Sequence, residues 1–374
     1  MIGGGQLARM TAEAATALGV GFRVLAASVD DPAALVVHDL HIGSHDDPAA
    51  VLAFAQGCDV VTFDHEHVPT GILEELVARG IAVHPGPGAL AHAQDKLHMR
   101  AALSAIGVPC PAWTQVVSAG EVEQFAQTHG WPVVLKTSRG GYDGRGVWVV
   151  RGVDEASEVM ATPLAAGSCW LVEQFVPFTR ELSAQVARSP HGQAVAYPVV
   201  QTNQIDGICA EVIAPAPDLS EQLALQAQDI ALRIARDLDV VGMLAVELFQ
   251  TADGLVVNEL AMRPHNSGHW SIEGAVTSQF ENHLRAVLDL PLGDPSVRAP
   301  RAVMVNIIGG TVGGLYSAYR HVFARDAELK VHLYGKQVRP GRKVGHVTLL
   351  GEDADALLTR GRHAADYFSG VIDE

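Results

Sequence analysis

The chain of 374 residues is long enough for two or three domains with a sizeable buried core. A charged fraction of 18% beside 48% hydrophobic residues excludes bulk disorder. With 26 Lys+Arg against 42 Asp+Glu, a net charge of −16, no global basic field exists for non-specific nucleic-acid binding, so an anionic ligand must be held by a local site. The cysteines Cys58, Cys110, Cys169 and Cys209 lie far apart without a C-x-x-C pair, which points to a reducing cytosol rather than a disulfide framework. No run approaches roughly 18 uninterrupted apolar residues. The N-terminus also lacks a basic region followed by an apolar stretch. The expectation is a cytoplasmic protein, neither secreted nor membrane-spanning.

In chain order, Gly3-Gly4-Gly5-Gln6-Leu7-Ala8 matches G-x-G-x-x-A at the start of a helix, where backbone N–H groups and the helix dipole can hold a phosphate. A tight βα turn is the favoured reading over a nicotinamide site, because only Met1 and Ile2 precede it where the fingerprint needs a strand. The natural protein is therefore expected to begin upstream with an apolar β segment, and intact-mass analysis finding Met1 as the true terminus would refute that. Phe22 to Ala26, Asp59 to Phe63 and Ile81 to His84 read as strands, and Val51 to Gln56 and Gly71 to Arg79 as helices between them, the pattern of a parallel sheet. The breaker cluster His84-Pro85-Gly86-Pro87-Gly88 is followed by helix-forming composition from Ala89 to Ile106. A first domain of residues 1–90 follows.

From Val133 onwards the pieces Val133 to Thr137, Gly146 to Val150, Cys169 to Val176 and Glu181 to Ala187 read as an antiparallel or mixed sheet. Ser220 is an N-cap for a helix with apolar positions Leu223, Ala227, Ile230, Ile234 and Leu238 on one face. Residues 91–290 form a second unit, and Pro291 to Pro300 is a linker into a smaller one of residues 291–374.

Three places carry chemistry. Lys136 stands at a strand end before Gly140, Gly141, Gly144 and Gly146, with Arg139 and Arg145 beside them, and such glycines let backbone approach phosphate oxygens while the lysine neutralises charge. Second, Leu244 to Gln250 and Leu255 to Leu260 form a hairpin; with Ala252-Asp253-Gly254 as a three-residue loop, Thr251 pairs with Leu255 and Glu247 falls opposite Glu259. Like charges so placed repel unless a cation lies between them, and all-oxygen ligation suits Mg²⁺ bridging substrate phosphates. Asn258 points to the other face by strict alternation unless the strand bends there. Third, Arg263-Pro264-His265-Asn266-Ser267-Gly268-His269 is rich in anion donors, while Lys336, Arg339, Arg342 and Lys343 form the one dense basic cluster of an acidic chain. The pairs His265/His269 and His65/His67 lack the third ligand that zinc requires.

A lysine-anchored Gly-rich loop, the hinge-like Glu173-Gln174-Phe175-Val176 and paired acidic residues on adjacent strands together resemble the ATP-grasp superfamily. Phe63-Asp64-His65-Glu66-His67-Val68, Gly141-Tyr142-Asp143-Gly144-Arg145-Gly146, the stretch from Asn258 to His269, and Tyr334-Gly335-Lys336 resemble its 5-(carboxyamino)imidazole ribonucleotide synthase family across essentially the whole chain. The resemblance implies an α/β and α+β fold: an N-terminal Rossmann-like pre-ATP-grasp domain, a central ATP-grasp domain and a small C-terminal β-rich domain. It implies ATP, Mg²⁺, bicarbonate and 5-aminoimidazole ribonucleotide as reactants, a carboxyphosphate intermediate, a place in purine biosynthesis and a homodimer. By the same resemblance Lys96, Lys136, Gly141, Tyr142, Asp143, Gly144, Arg145, Gly146 and Val147 bind ATP, the backbone of Glu173, Gln174, Phe175 and Val176 reads adenine, and Glu181 holds the ribose. Glu247 and Glu259 carry Mg²⁺ with Asn258 adjacent; Arg263, His265, Asn266 and Asp143 are catalytic. Glu66, Tyr142, Arg145, Lys336, Arg339, Arg342 and Lys343 hold the ribonucleotide, with the Gly5-Gln6 turn facing its phosphate.

Two positions depart from the family pattern: Asp64 stands where a first Glu is usual, and Gln204 where a His is often found near ATP. Another ATP-grasp ligase, such as a formate-dependent glycinamide ribonucleotide transformylase or a biotin carboxylase, would share the ATP residues but not the Arg263 to His269 stretch. A Rossmann oxidoreductase is suggested by the first eight residues alone, and a noncatalytic nucleotide-binding regulator would be expected to lose a metal carboxylate or Lys136.

Overall fold

A computed structural model describes residues 1–141, 146–205 and 207–373. Tyr142, Asp143, Gly144 and Arg145, each assigned a site role above, lie outside the described residues.

The first unit is a small parallel sheet. Arg23–Ala26 pairs with Asp39–Ile42, and Val60–Val61 with Ala82–Val83. Ile2 bridges both Leu25 and Phe63 in parallel, so this one apolar residue fills the central strand position and joins the two pairs. The helix Gln6–Leu18 follows at once. Asp39–Ile42 was not legible as a strand, because it is an exposed edge of mixed polarity with no alternation to mark it.

The expected single helix from Ala89 to Ile106 is two helices, Pro87–Gln94 and Lys96–Ala105. Asp95 lies between them in an extended conformation, and its carboxylate accepts from the N–H groups of Leu97 and His98. An aspartate that satisfies orphan donors of a new helix competes well with continuing the old one. The break places Lys96 in the first turn of the second helix, its backbone N–H on Ser138 O at 2.8 Å.

Two antiparallel sheets form the rest. The small one orders Trp113–Val116, Trp170–Gln174, Val133–Thr137 and Val147–Val150, packed against the helices Ala119–His129 and Val153–Met160. The large one runs Gly254–Ala261, Gly242–Thr251, Arg180–Arg188, Val200–Ile205, Ile208–Ala214, Arg301–Ile308, Lys343–Gly351, Lys330–Leu333, with Ala194–Ala196 beside Arg180–Arg188. Helix Glu221–Asp237 begins at the Ser220 cap and buries Ala227, Ile230 and Ile234 against this sheet, as its spacing predicts. The strands after residue 300 extend the same sheet, with Val305 opposite Glu211, while burying a separate apolar cluster that includes Val347, Leu357 and Phe368. The segment expected to be a linker is pinned down, since Thr277 N–H bonds Asp294 O and Gly293 N–H bonds Asn282 Oδ1. No helix among the described residues is long and apolar enough to cross a membrane.

Candidate active site

The hairpin Gly242–Thr251/Gly254–Ala261 sets the geometry. Its loop is two residues, Ala252-Asp253, not three: Thr251 pairs with Gly254, and Thr251 Oγ1 accepts the Asp253 N–H and donates to Gly254 O. That register alone would face Glu247 with Asn258. Between Val246 and Leu248 the register shifts, and Val246 pairs with Leu260. Asn258 and Glu259 therefore stand together against Glu247, a β-bulge that turns both towards one cavity, and strict alternation fails here.

That cavity, about 890 Å³, lies between the two antiparallel sheets. On its floor Lys136 Nζ bonds Glu173 Oε2 at 2.7 Å and reaches Asn258 Oδ1 at 3.4 Å. Glu173 is buried and also takes Arg100 Nε at 2.6 Å. Burial alone would raise this carboxyl, but Lys136 and Arg100 outweigh it and hold it down to about 2. The Glu173 side chain thus fixes Lys136 from beneath, while Gln174, Phe175 and Val176 line the cavity beside it. Arg100, which sequence reasoning missed, is fully buried and also donates to Val257 O at 3.1 Å and Asn258 O at 2.7 Å, the backbone of the bulge. Its signal was its place one helical turn after Lys96.

Lys96 Nζ meets Glu259 Oε1 at 2.6 Å. Burial pushes the Glu259 carboxyl up, but Lys96 and Lys136 overcome it and the net shift is down. Glu247 goes the other way: burial, then the charges of Glu259 and Glu181, push it up to about 7. Burial also raises Glu181. A site that drives neighbouring carboxylates apart in this way lacks positive charge between them, which a divalent cation supplies. No group of three or more His, Cys, Asp or Glu among the described residues is arranged to hold a metal ion. Phe178 and Phe249 stack at 4.5 Å on the cavity's apolar side with Val134 and Val149. Gly141, Val147 and Gln204 line it too. Gly146 adopts φ 73° where a Cβ would press on Thr137 Oγ1.

A second cavity of about 600 Å³ is bounded by Gln6, Lys336, Arg339 and Arg342. Lys336 bonds the Gln6 side chain, which joins the Gly-rich turn to the C-terminal basic loop. Asp64 fills the seat that a pyrophosphate would need: Gly5 N–H bonds Asp64 Oδ2 at 2.5 Å, and a Cβ on Gly3, at φ 101°, would fall 1.7 Å from Asp64 Oδ1. A carboxylate already at the helix N-terminus excludes a dinucleotide there.

Arg263, His265, Asn266 and Lys343 border both cavities. Arg263 Nε bonds Glu66 Oε2 at 2.8 Å, so the first unit contributes a carboxylate to the junction. Asn266 exchanges side-chain hydrogen bonds with Asn306, a partner too distant in sequence to foresee. Burial, then Arg263 and Lys343, depresses the His265 ring to about 3, so it is neutral near pH 7, with Nε2 3.6 Å from Glu247 Oε1.

Two antiparallel sheets clamping a cavity with two lysines and paired carboxylates define an ATP-grasp ligase. Comparison with known proteins agrees: residues 101–280 match the ATP-grasp domain, residues 1–94 the ribonucleotide synthetase preATP-grasp domain, and residues 302–360 the phosphoribosylaminoimidazole carboxylase C-terminal domain. The chain is 56% identical over 373 residues to N5-carboxyaminoimidazole ribonucleotide synthase of Mycobacterium tuberculosis, covering 99% of this chain and 87% of that protein. The crystal structure of the Thermus thermophilus synthetase superposes with a TM-score of 0.87 at 40% identity, covering 100% of this chain and 99% of that one. That of the Aspergillus clavatus synthase in complex with ADP and 5-aminoimidazole ribonucleotide does so with 0.88 at 32%, covering 99% and 98%. The chain belongs to the N5-carboxyaminoimidazole ribonucleotide synthase family.

Proposed function

We propose that this chain uses ATP to join bicarbonate to the exocyclic amine of 5-aminoimidazole ribonucleotide, giving the carbamate, ADP and phosphate in purine biosynthesis. The observation that carries the reading is the shared wall: Arg263, His265, Asn266 and Lys343 border a cavity holding paired lysines and carboxylates and a second one bounded by a basic loop. ATP lies in the first, its adenine against Val134, Val149 and the Phe178/Phe249 pair with the backbone of 173–176 at its edge. Glu181 is at the ribose, and Lys96 and Lys136 are at the phosphates. Mg²⁺ held by Glu247 and Glu259, with Asn258 adjacent, would neutralise charge as the phosphoryl group moves. At the wall, Arg263, His265 and Asn266 hold bicarbonate so that it takes the γ-phosphoryl group, and the resulting carboxyphosphate stays shielded from water beside the amine. Lys336, Arg342 and Lys343, with Gln6 and a weaker contribution from Arg339, hold the ribonucleotide, and Glu66 orients Arg263. Asp143 is catalytic in this reading, and Tyr142 and Arg145 belong to the ribonucleotide's set. A homodimer in the cytoplasm is the expected working form.

The test is ADP release with MgATP and bicarbonate, with and without 5-aminoimidazole ribonucleotide. Strong stimulation, with carbamate formed in step with ADP, is expected; ATP binding without stimulation would move the substrate elsewhere. Lys336→Ala is expected to raise the KM for the ribonucleotide about tenfold or more while leaving that for ATP near its wild-type value, since it removes one charge-assisted contact in the second cavity only. Equal effects on both substrates would count against the assignment.

A further inference from the structure

The stretch Ser267-Gly268-His269 has no place in the reading above, yet Ser267 meets the His265 ring directly. His265 Nδ1 lies 2.8 Å from Ser267 Oγ and 3.4 Å from the Ser267 backbone N–H. A backbone N–H can only donate, so a proton on Nδ1 would set two N–H groups against each other. In a neutral imidazole the proton then resides on Nε2, the nitrogen that faces Glu247 and the wall between the cavities.

The Ser267 hydroxyl is committed to the same arrangement. Gln185 Nε2 donates to Ser267 Oγ at 3.2 Å, and Ser183 Oγ lies 2.8 Å away, where either hydroxyl can donate. With Nδ1 accepting from the backbone, the Ser267 proton goes to His265, which leaves Ser183 to donate to Ser267. Ser183, Gln185 and Ser267 are buried, and no bulk water competes for these bonds. Ser183 and Gln185 lie on one face of strand Arg180–Arg188, in line with Glu181. The backbone is held as firmly: the Gln279 side-chain amide accepts from His265 N at 2.9 Å and donates to His265 O at 2.8 Å. A Cβ on Gly268 would fall 2.4 Å from Gln279 Oε1 and 2.5 Å from Gln185 Nε2, so any side chain here would have to displace these two supports.

We propose that Ser267 is a positioning residue that locks His265 in the Nε2–H form and so aims a hydrogen-bond donor, not a proton acceptor, at an anionic oxygen of the bicarbonate-derived group. The inference rests on the placement of that group beside His265. It gives His265 an oxyanion-holding role and leaves the proton of the attacking amine to another acceptor.

The test is ¹⁵N NMR of the full chain labelled at histidine, with the His265 signals identified by their loss in His265→Asn. The expected result is a protonated Nε2 and a bare Nδ1 in the wild type. Ser267→Ala is expected to lose this single tautomer and to raise the KM for bicarbonate about tenfold or more, with the KM for ATP little changed. A proton on Nδ1 in the wild type overturns the proposal, and that measurement needs no variant to fold. So does a Ser267→Ala protein that keeps both the tautomer and the bicarbonate KM. Full turnover by His265→Asn would instead remove the underlying placement of bicarbonate, and is distinguishable because the wild-type tautomer is read without turnover.

Discussion

Glu259→Gln is expected to lower ADP formation by about a thousandfold or more while leaving the fold intact, because it removes one of two anionic oxygen donors where phosphoryl charge develops. The amide keeps the shape of the side chain, so Lys96 at 2.6 Å retains an acceptor and loses only a charge partner. Steady-state ADP release at saturating substrates checks it, and full activity at ordinary Mg²⁺ would refute the metal assignment. The same carboxylate pair makes a pH prediction. Glu247 is raised from 4.5 to about 7 in the folded protein, so between these values the folded chain holds a proton that the unfolded chain has released. Stability contributed here is therefore lost as pH rises from about 4.5 to about 7 and does not return above it. A cation between the carboxylates reverses this, so MgATP is expected to raise the melting temperature more at pH 8 than at pH 6 and to release protons on binding near pH 7. In Glu259→Gln both effects shrink, since a principal charge acting on Glu247 is gone.

Arg100→Met is expected to destabilise the protein by about 3–5 kcal/mol, since it leaves a buried carboxylate and two backbone carbonyls short of a donor. The helix Lys96–Ala105 acts as a strut: Lys96 meets Glu259, and one turn later Arg100 meets Glu173 and the carbonyls of Val257 and Asn258. Losing Arg100 therefore loosens the bulge that aims Asn258 and Glu259, and ATP affinity falls with stability. Denaturant unfolding with and without MgATP separates the two effects. Adding Glu173→Leu to Arg100→Met is expected to cost less than the sum of the single changes, because the unpaired carboxylate is then gone too. An Arg100→Met protein within about 0.5 kcal/mol of wild type would show that the strut carries no load.

Features whose physics is local were legible in the residues alone. Alternating apolar runs and breakers gave the βα unit, the Ser220 cap and its four-and-three spacing gave the covering helix, and residue types gave the lysine, carboxylate and basic-loop sets with the family they resemble. The two-residue turn and the bulge that aligns Asn258 with Glu259 against Glu247 were decided by the tertiary structure. Strict alternation has no means of counting an extra residue that pairing across strands absorbs. Arg100 read as an ordinary helix residue until Glu173 and the hairpin carbonyls, 73 and more than 150 positions away, were brought to it. Gln6 and Lys336 lie 330 positions apart, and Asp64 reaches the Gly-rich turn across 59. Contacts of this kind depend on burial, which removes water as a competitor and makes each polar atom find a partner wherever the chain supplies one.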